Sequence, residues 1–437
     1  MTKLMRQLNP ARAFGGLWRN GDFVRLWTSL TITHFGGQIT LLALPLTAAL
    51  LLEATPFEMG ILTALEAVPF ALFGLFAGVL VDRAPKLPII VWSDLARGAA
   101  LLAVPLAAWA GVLSMGVLYA VGFLIGTGSV MGWPAYQVFM TERVGRERLA
   151  EANAKIGISD SAAQLIGPGI AGALIQWLTA PFAILLDAVS FFVSAWILRR
   201  IPPGESDAPK ARARSLGADM REGLLEIWHN ATLRALAWSI AVWQLFRHAY
   251  FAIVVLFAAR ELGFSPGRVG ALWMLAGLGS LAAAGAVEPL NRRYGFGPTM
   301  LAGILGTGIA WLALGATPGN TEVASLFFGL GLAALDFSGM VFFINYLTLR
   351  QAAAPDALRG RVIATMICLT VATAPLGGIA GGWIAEHAGL RAPMFFAGMG
   401  AILLVLLAAW TTPLLRLRSL DEIEPRRVES VAEELAG

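Results

Sequence analysis

Long apolar stretches broken by short polar segments run the length of this chain, and no Asp, Glu, Lys or Arg occurs in 26–52, 98–141, 161–186, 294–321, 362–385 or 392–415. A helix of about 20 apolar residues crosses the roughly 30 Å hydrocarbon core of a bilayer, and 98–141 is long enough to cross twice. Breaking the runs at Gly, Pro and charge clusters predicts twelve spans, at about 24–51, 57–81, 88–110, 115–140, 151–178, 181–199, 232–259, 266–290, 297–317, 322–349, 359–386 and 391–416. The expected fold class is an all-α membrane protein of twelve transmembrane helices, with little chain left for a domain outside the bilayer.

Composition agrees. Only 14% of the 437 residues are charged and 57% are hydrophobic, against about 25% charged in a soluble domain. The single cysteine, Cys368, sits in an apolar run, so a disulfide framework is excluded, and no Cys/His cluster has metal-ligand spacing. No cofactor or metal is expected. A phosphate-binding Gly-x-x-x-x-Gly-Lys-Ser/Thr loop is absent, which argues against ATP as the direct energy source. No nucleophile with a base stands at membrane depth, so the chain does not read as an enzyme. The basic segment 1–22 precedes an apolar run too long for a signal-peptide core, which reads as a retained first span.

The net charge of +4 acquires meaning from its location. Of 32 Lys and Arg, 27 fall on the side of the even-numbered loops and both termini, three (Arg260, Arg268, Arg391) on the other side, and Arg97 and Arg247 within spans. By the positive-inside rule both termini are expected in the cytoplasm. The basic clusters read as orientation signals in contact with lipid head groups, not as a nucleic-acid site.

An internal repeat organises the chain. An offset of 209 brings Ile170-Ala171-Gly172 onto Ile379-Ala380-Gly381, Leu149 onto Leu358, Arg25 onto Arg234 and Arg83 onto Arg292. This divides the chain into two pseudo-symmetric six-helix halves, 1–199 and 232–417, with a charged linker at 200–231 and a charged tail at 418–437. Within the linker Leu216, Met220, Leu224, Ile227 and Trp228 recur at helical spacing, an amphipathic helix suited to a membrane surface.

Between spans two and three runs Gly78-Val-Leu-Val-Asp82-Arg83-Ala-Pro-Lys86. Together with the parallel repeats, it resembles the loop motif of the major facilitator superfamily, Gly-x-Leu-x-Asp-Arg followed by basic residues. That resemblance implies the major facilitator fold, a substrate site between the halves, and a cytoplasmic gate in which Gly78, Asp82 and Arg83 latch the halves. A tight, basic turn is the alternative. Asp94 and Arg97 share one face of span three and are expected to join that gate.

The Asp94-x-x-Arg97 pair, Leu17-Trp-Arg-Asn-Gly-Asp-Phe-Val-Arg-Leu-Trp27, Ala43-Leu-Pro45, Arg146-Glu-Arg-Leu-Ala-Glu-Ala-Asn153 and Arg221-Glu-Gly-Leu-Leu225 resemble the enterobactin-exporter and macrolide-efflux-like facilitators. The subgroup's acid near Gly37 and its arginine at the position of Tyr136 are missing here. Gly167, Pro168 and Gly172 form a bend in span five that is similar to the Gly-Pro motif of drug/proton antiporters, and generic close packing of helices explains it equally well.

Ionisable groups inside spans are costly and should face a cavity or a partner. Asp336, Glu66, Asp160 and Arg247 are the proton-coupling candidates; Arg247 and Asp336 are expected to pair in one conformation and to exchange partners with a proton or substrate in another, a static structural pair being the alternative. His34 with Gln38, Asp160 with Gln164, and Gln244 with His248 lie four apart on single helical faces. The stripes of spans one and seven are expected to face each other. With Tyr136 and Trp243 they are the substrate-cavity candidates, and Asp187 reads as structural. The resemblance implies a monomeric, multi-pass protein of the bacterial inner membrane. It also implies export of an amphipathic drug-like compound or siderophore in exchange for protons. A lipid facilitator and an uptake symporter are the alternatives.

Overall fold

The computed structural model describes residues 16–202, 216–319, 322–356 and 358–423. Thirteen helices of more than ten residues lie among them: α1 (Gly21–Leu46), α2 (Pro56–Arg83), α3 (Lys86–Trp109), α4 (Met115–Val144), α5 (Leu149–Leu178), α6 (Ala180–Leu198), α7 (Leu216–His229), α8 (Ala231–Leu256), α9 (Pro266–Tyr294), α10 (Phe296–Gly315), α11 (Glu322–Ala353), α12 (Arg359–Ala388) and α13 (Ala392–Thr411). All but α7 correspond to the expected spans. Several run one turn past the apolar stretch, to Val144, Tyr294 and Ala353, because a helix persists as a charged turn after hydropathy falls. α13 stops at Thr411 instead of 416, where Pro413 removes a backbone donor. Eleven of the twelve are long and apolar enough to cross a membrane. α5 is the exception, with Glu151, Lys155 and Asp160 in its first half, and it packs on α1 and α9.

Local chemistry repeats between α1–α6 and α8–α13 at an offset of 210, one residue more than identities alone indicated. Asn20 and Asn230 cap α1 and α8, each accepting from two backbone amides at 3.0–3.1 Å. Both helices end in a π-helical turn, at Thr47–Leu51 and Phe257–Glu261. Thr55 and Ser265 then cap α2 and α9, which both begin with proline. Thr179 (φ 69°) and Gly389 (φ 90°) make the matching turns before α6 and α13.

The halves meet where α2 packs on α12 and α5 on α9. Twelve crossings put the starts of α1 and α8 and the end of α13 on one face, the terminal face; the other is the distal face. α7 lies against α12 and α8. Glu222 pairs with Arg361, and Ile227 is buried while Leu224 and Trp228 face outward. The linker helix therefore rides on the second half.

Candidate functional site

Glycine spacing measures how closely the halves approach. On the distal side a methyl group placed on Gly60 of α2 would sit 2.6 Å from the Gly378 carbonyl oxygen and 2.9 Å from Gly382 Cα on α12. A methyl group on Gly270 of α9 would sit 2.2 Å from the Pro168 carbonyl oxygen and 2.8 Å from Gly172 Cα on α5. Backbones touch there because no side chain intervenes. Toward the terminal face the same four helices part. A methyl on Gly74 would find its nearest neighbour, Val130 of the same half, at 4.0 Å, and methyls on Gly78, Gly360, Gly157 and Gly285 would meet nothing within 4 Å.

Hydrogen bonds follow the same division. Across the halves the Phe57 amide donates to Glu386 Oε2 (3.1 Å), the Gly267 amide to Gln176 Oε1 (3.0 Å), and the Arg260 guanidinium to the Ala49 carbonyl (2.8 Å). All three lie on the distal face. On the terminal face the described ion pairs stay within a half, as in Arg143–Asp22 (3.3 Å) and Lys86–Glu142 (3.9 Å).

Two cavities occupy the interior. The first, about 500 Å³, is lined by α1, α2, α3, α4, α6 and α8. Its charges are mostly engaged. Arg97 pairs with Asp94 and lies over the Phe191 ring at 4.3 Å. Asp94 accepts from Ser194 Oγ (2.5 Å), which in turn meets Ser29 Oγ (2.7 Å). Asp187 accepts from Thr40 and from Ser190 (3.0 Å). Tyr136 donates to the Leu26 carbonyl (3.0 Å) and stacks on Trp133. Glu66 differs. It packs its Cγ against Gly122 of α4, faces the cavity, and has no hydrogen bond or ion pair among the described residues.

The second cavity, about 530 Å³, is lined by α1, α5, α8, α9, α10 and α11. It holds Gln38, Gln164, Trp243, Gln244, Arg247 and Asp336, and it shares Leu41 and Phe251 with the first. Arg247 is exposed to this space and lies over the Trp243 ring at 5.7 Å. In this conformation Arg247 and Asp336 are not paired: no contact within 4 Å joins them.

Most expected cavity residues do gather around these two spaces. His34 Nδ1 lies 3.3 Å from Asp160 Oδ1, and Asp160 accepts a hydrogen bond from Gln164 (2.8 Å), so the three form one cluster between α1 and α5. Gln38 packs over Gly167, and Pro168 lines the second cavity beside it. His248 lines neither cavity. Its Nδ1 meets the Gln244 carbonyl (2.9 Å) and its Cβ packs toward Gly377 of α12. Of the two polar stripes, Gln38 and Gln244 share the second cavity, whereas His34 turns to α5 and His248 to α12.

The expected terminal-face gate also divides. Asp94 and Arg97 sit about 12 and 16 Å along α3 from Lys86, bound to Ser194 and Phe191, and belong to the first cavity. Gly78 and Arg83 are exposed, Arg83 without a described partner. The Asp82 side chain lies outside the described residues. Sequence reasoning missed Ser29, Thr40, Ser194, Gln176, Arg260 and Glu386. Gln176 and Glu386 were findable, because they stand 210 apart at the ends of equivalent spans.

Comparison with known proteins gives one consistent family. Residues 26–367 and 244–433 match the Major Facilitator Superfamily. The chain is 29% identical over 387 residues to an uncharacterized MFS-type transporter, y4rN, of Sinorhizobium fredii, covering 86% of this chain and 92% of that one. It is 27% identical over 396 residues to the multidrug efflux pump Tap of Mycolicibacterium fortuitum, covering 88% and 94%. Among solved structures, a point mutant of the nucleoside transporter NupG superposes with a TM-score of 0.72 at 12% identity, covering 89% of this chain and 98% of that one.

Proposed function

The chain belongs to the Major Facilitator Superfamily, and from that premise we propose that this multi-pass membrane transporter exports an amphipathic small molecule by alternating access, driven by protons. The observation that carries the reading is the glycine spacing. Two halves in backbone contact on one face and parted on the other, around two cavities that meet at Leu41 and Phe251, have the form of one state of a two-state pore.

The excess of Lys and Arg on the terminal face supports a cytoplasmic assignment for it, and in this reading the parted side takes substrate from the cell of a bacterium, at its inner membrane. Residues 1–199 and 232–417 move as the two bodies of a monomer, with α7 carried by the second. Gly78, Asp82 and Arg83 close the terminal face in the opposite state, and Pro168 with its flanking glycines lets α5 bend. Glu66 is the proton carrier, since a carboxyl in a cavity without a counter-ion changes protonation as its access to water changes. His34 and Asp160 gain an ion pair when the imidazole is protonated and couple α1 to α5.

Export is favoured by the two multidrug-pump-like features: the span-five motif and the similarity to Tap. The likeness of 15–260 to the enterobactin-exporter and macrolide-efflux-like subgroup agrees with it. The test is accumulation of a panel of dyes, antibiotics and siderophores in cells with and without the protein. Lower accumulation that is restored by collapsing the proton gradient supports the reading; equal accumulation of every compound overturns it.

A further inference from the structure

In the first cavity Arg97, Asp94 and Asp187 are each held by a partner from the protein, and Glu66 is not. In the second, Arg247 and Asp336 stand on α8 and α11 with no hydrogen bond or ion pair among the described residues, and no contact within 4 Å joins them. Charges at membrane depth are expensive without a partner. A guanidinium and a carboxylate that act on each other across one open cavity without touching leave two complementary positions to be filled from outside the chain.

We propose that the second cavity binds a zwitterionic aromatic molecule, with its carboxylate on Arg247 and its ammonium on Asp336. This rests on the transport reading above and names the substrate class. A planar guanidinium binds a carboxylate through two parallel hydrogen bonds, and Asp336 accepts from an ammonium in the same space. A ligand with one charge satisfies one of these groups and leaves the other bare, and that unpaired group costs affinity. Trp273, part-exposed on the wall of this cavity, supplies flat apolar area for an aromatic body. The volume, about 530 Å³, lies within the usual range for drug-sized ligands.

The test uses the full chain in lipid nanodiscs and norfloxacin as the zwitterionic probe. Its methyl ester keeps only the ammonium and its N-acetyl derivative keeps only the carboxylate. The wild-type protein is expected to bind norfloxacin at least about tenfold more tightly than either derivative, the factor that loss of one charge-assisted hydrogen-bonded pair produces. Arg247→Gln is expected to abolish the preference over the ester, and Asp336→Asn the preference over the N-acetyl form. The comparison among ligands on the wild-type protein needs no variant to fold. Equal affinity for the three forms, no binding of any, or variants that keep both preferences overturn the proposal. Export of a cationic dye by cells, without any zwitterion preference in nanodiscs, overturns this inference and leaves the transport reading standing. A zwitterion preference with no export by cells supports this site and overturns the export reading.

Discussion

Glu386, at the end of α12, accepts a hydrogen bond from the Phe57 amide at the start of α2, 3.1 Å across the boundary between the halves. Its repeat counterpart Gln176 accepts from Gly267 at the start of α9, at 3.0 Å. Each half thus lends a side chain to cap a helix N-terminus of the other, where unpaired amides need an acceptor. The contacts are reciprocal, and they stand beside the glycine crossings that close the distal face.

Removing either acceptor should loosen that closure. Both sites are exposed, so each bond contributes only about 0.5–1.5 kcal/mol, a shift of roughly two- to tenfold in the closed fraction. Glu386→Ala and Gln176→Ala should both lengthen spin-label distances across the distal face, whereas Glu386→Gln keeps an acceptor and should leave them near wild type. Unchanged distances in the alanine variants would remove these contacts from the gate.

Gly270→Val should have a larger effect. Its Cβ would lie 2.2 Å from the Pro168 carbonyl oxygen, so the distal face cannot close in the observed way. The variant should reach the membrane in normal amounts yet transport at a small fraction of the wild-type rate. Wild-type transport would show that this crossing is not part of the cycle.

Arg97→Ala should act on stability. It strips the partner from Asp94, whose side chain is 5% exposed, and breaking a buried pair from one side costs about 3–5 kcal/mol. Thermal unfolding in detergent should show a lower melting temperature and reduced yield. Arg97→Lys should rescue it only in part, because an ammonium lacks the planar face that lies over Phe191. An unaltered melting temperature for Arg97→Ala would show the network to be dispensable.

Thr179 adopts φ 69° and ψ 157°, a region essentially reserved for glycine, and its repeat counterpart is Gly389. Thr179→Gly should therefore stabilise the protein by about 1 kcal/mol, the strain relieved less the extra freedom of the unfolded chain. A raised melting temperature at unchanged transport is the expected result.

The spans are legible in the sequence because hydropathy alone sets them; their ends are less so, because a helix continues as a charged turn. The repeat is visible through identities such as Ile170-Ala171-Gly172, yet these give a register one residue short. Structural equivalence is carried by cap positions such as Asn20/Asn230 and Pro56/Pro266, not by apolar residues. Asp94 and Arg97 are legible as a pair, because spacing along one helix fixes a shared face. Their attachment to Ser194 and Ser29, and the contact of His34 with Asp160, depend on how helices rotate against one another, which no periodicity reports. The same rotation leaves Arg247 and Asp336 apart, where two opposite charges at similar depth suggest contact.

Proton-driven export is most directly tested with purified protein in proteoliposomes under an imposed proton gradient, comparing wild type with Glu66→Gln. The account predicts that wild type concentrates an exported compound against its gradient and that collapsing the proton gradient abolishes this. Glu66→Gln should equilibrate the compound without concentrating it, at a rate insensitive to pH. Concentrative transport by Glu66→Gln equal to wild type, with the same pH dependence, would contradict the role assigned to this carboxyl.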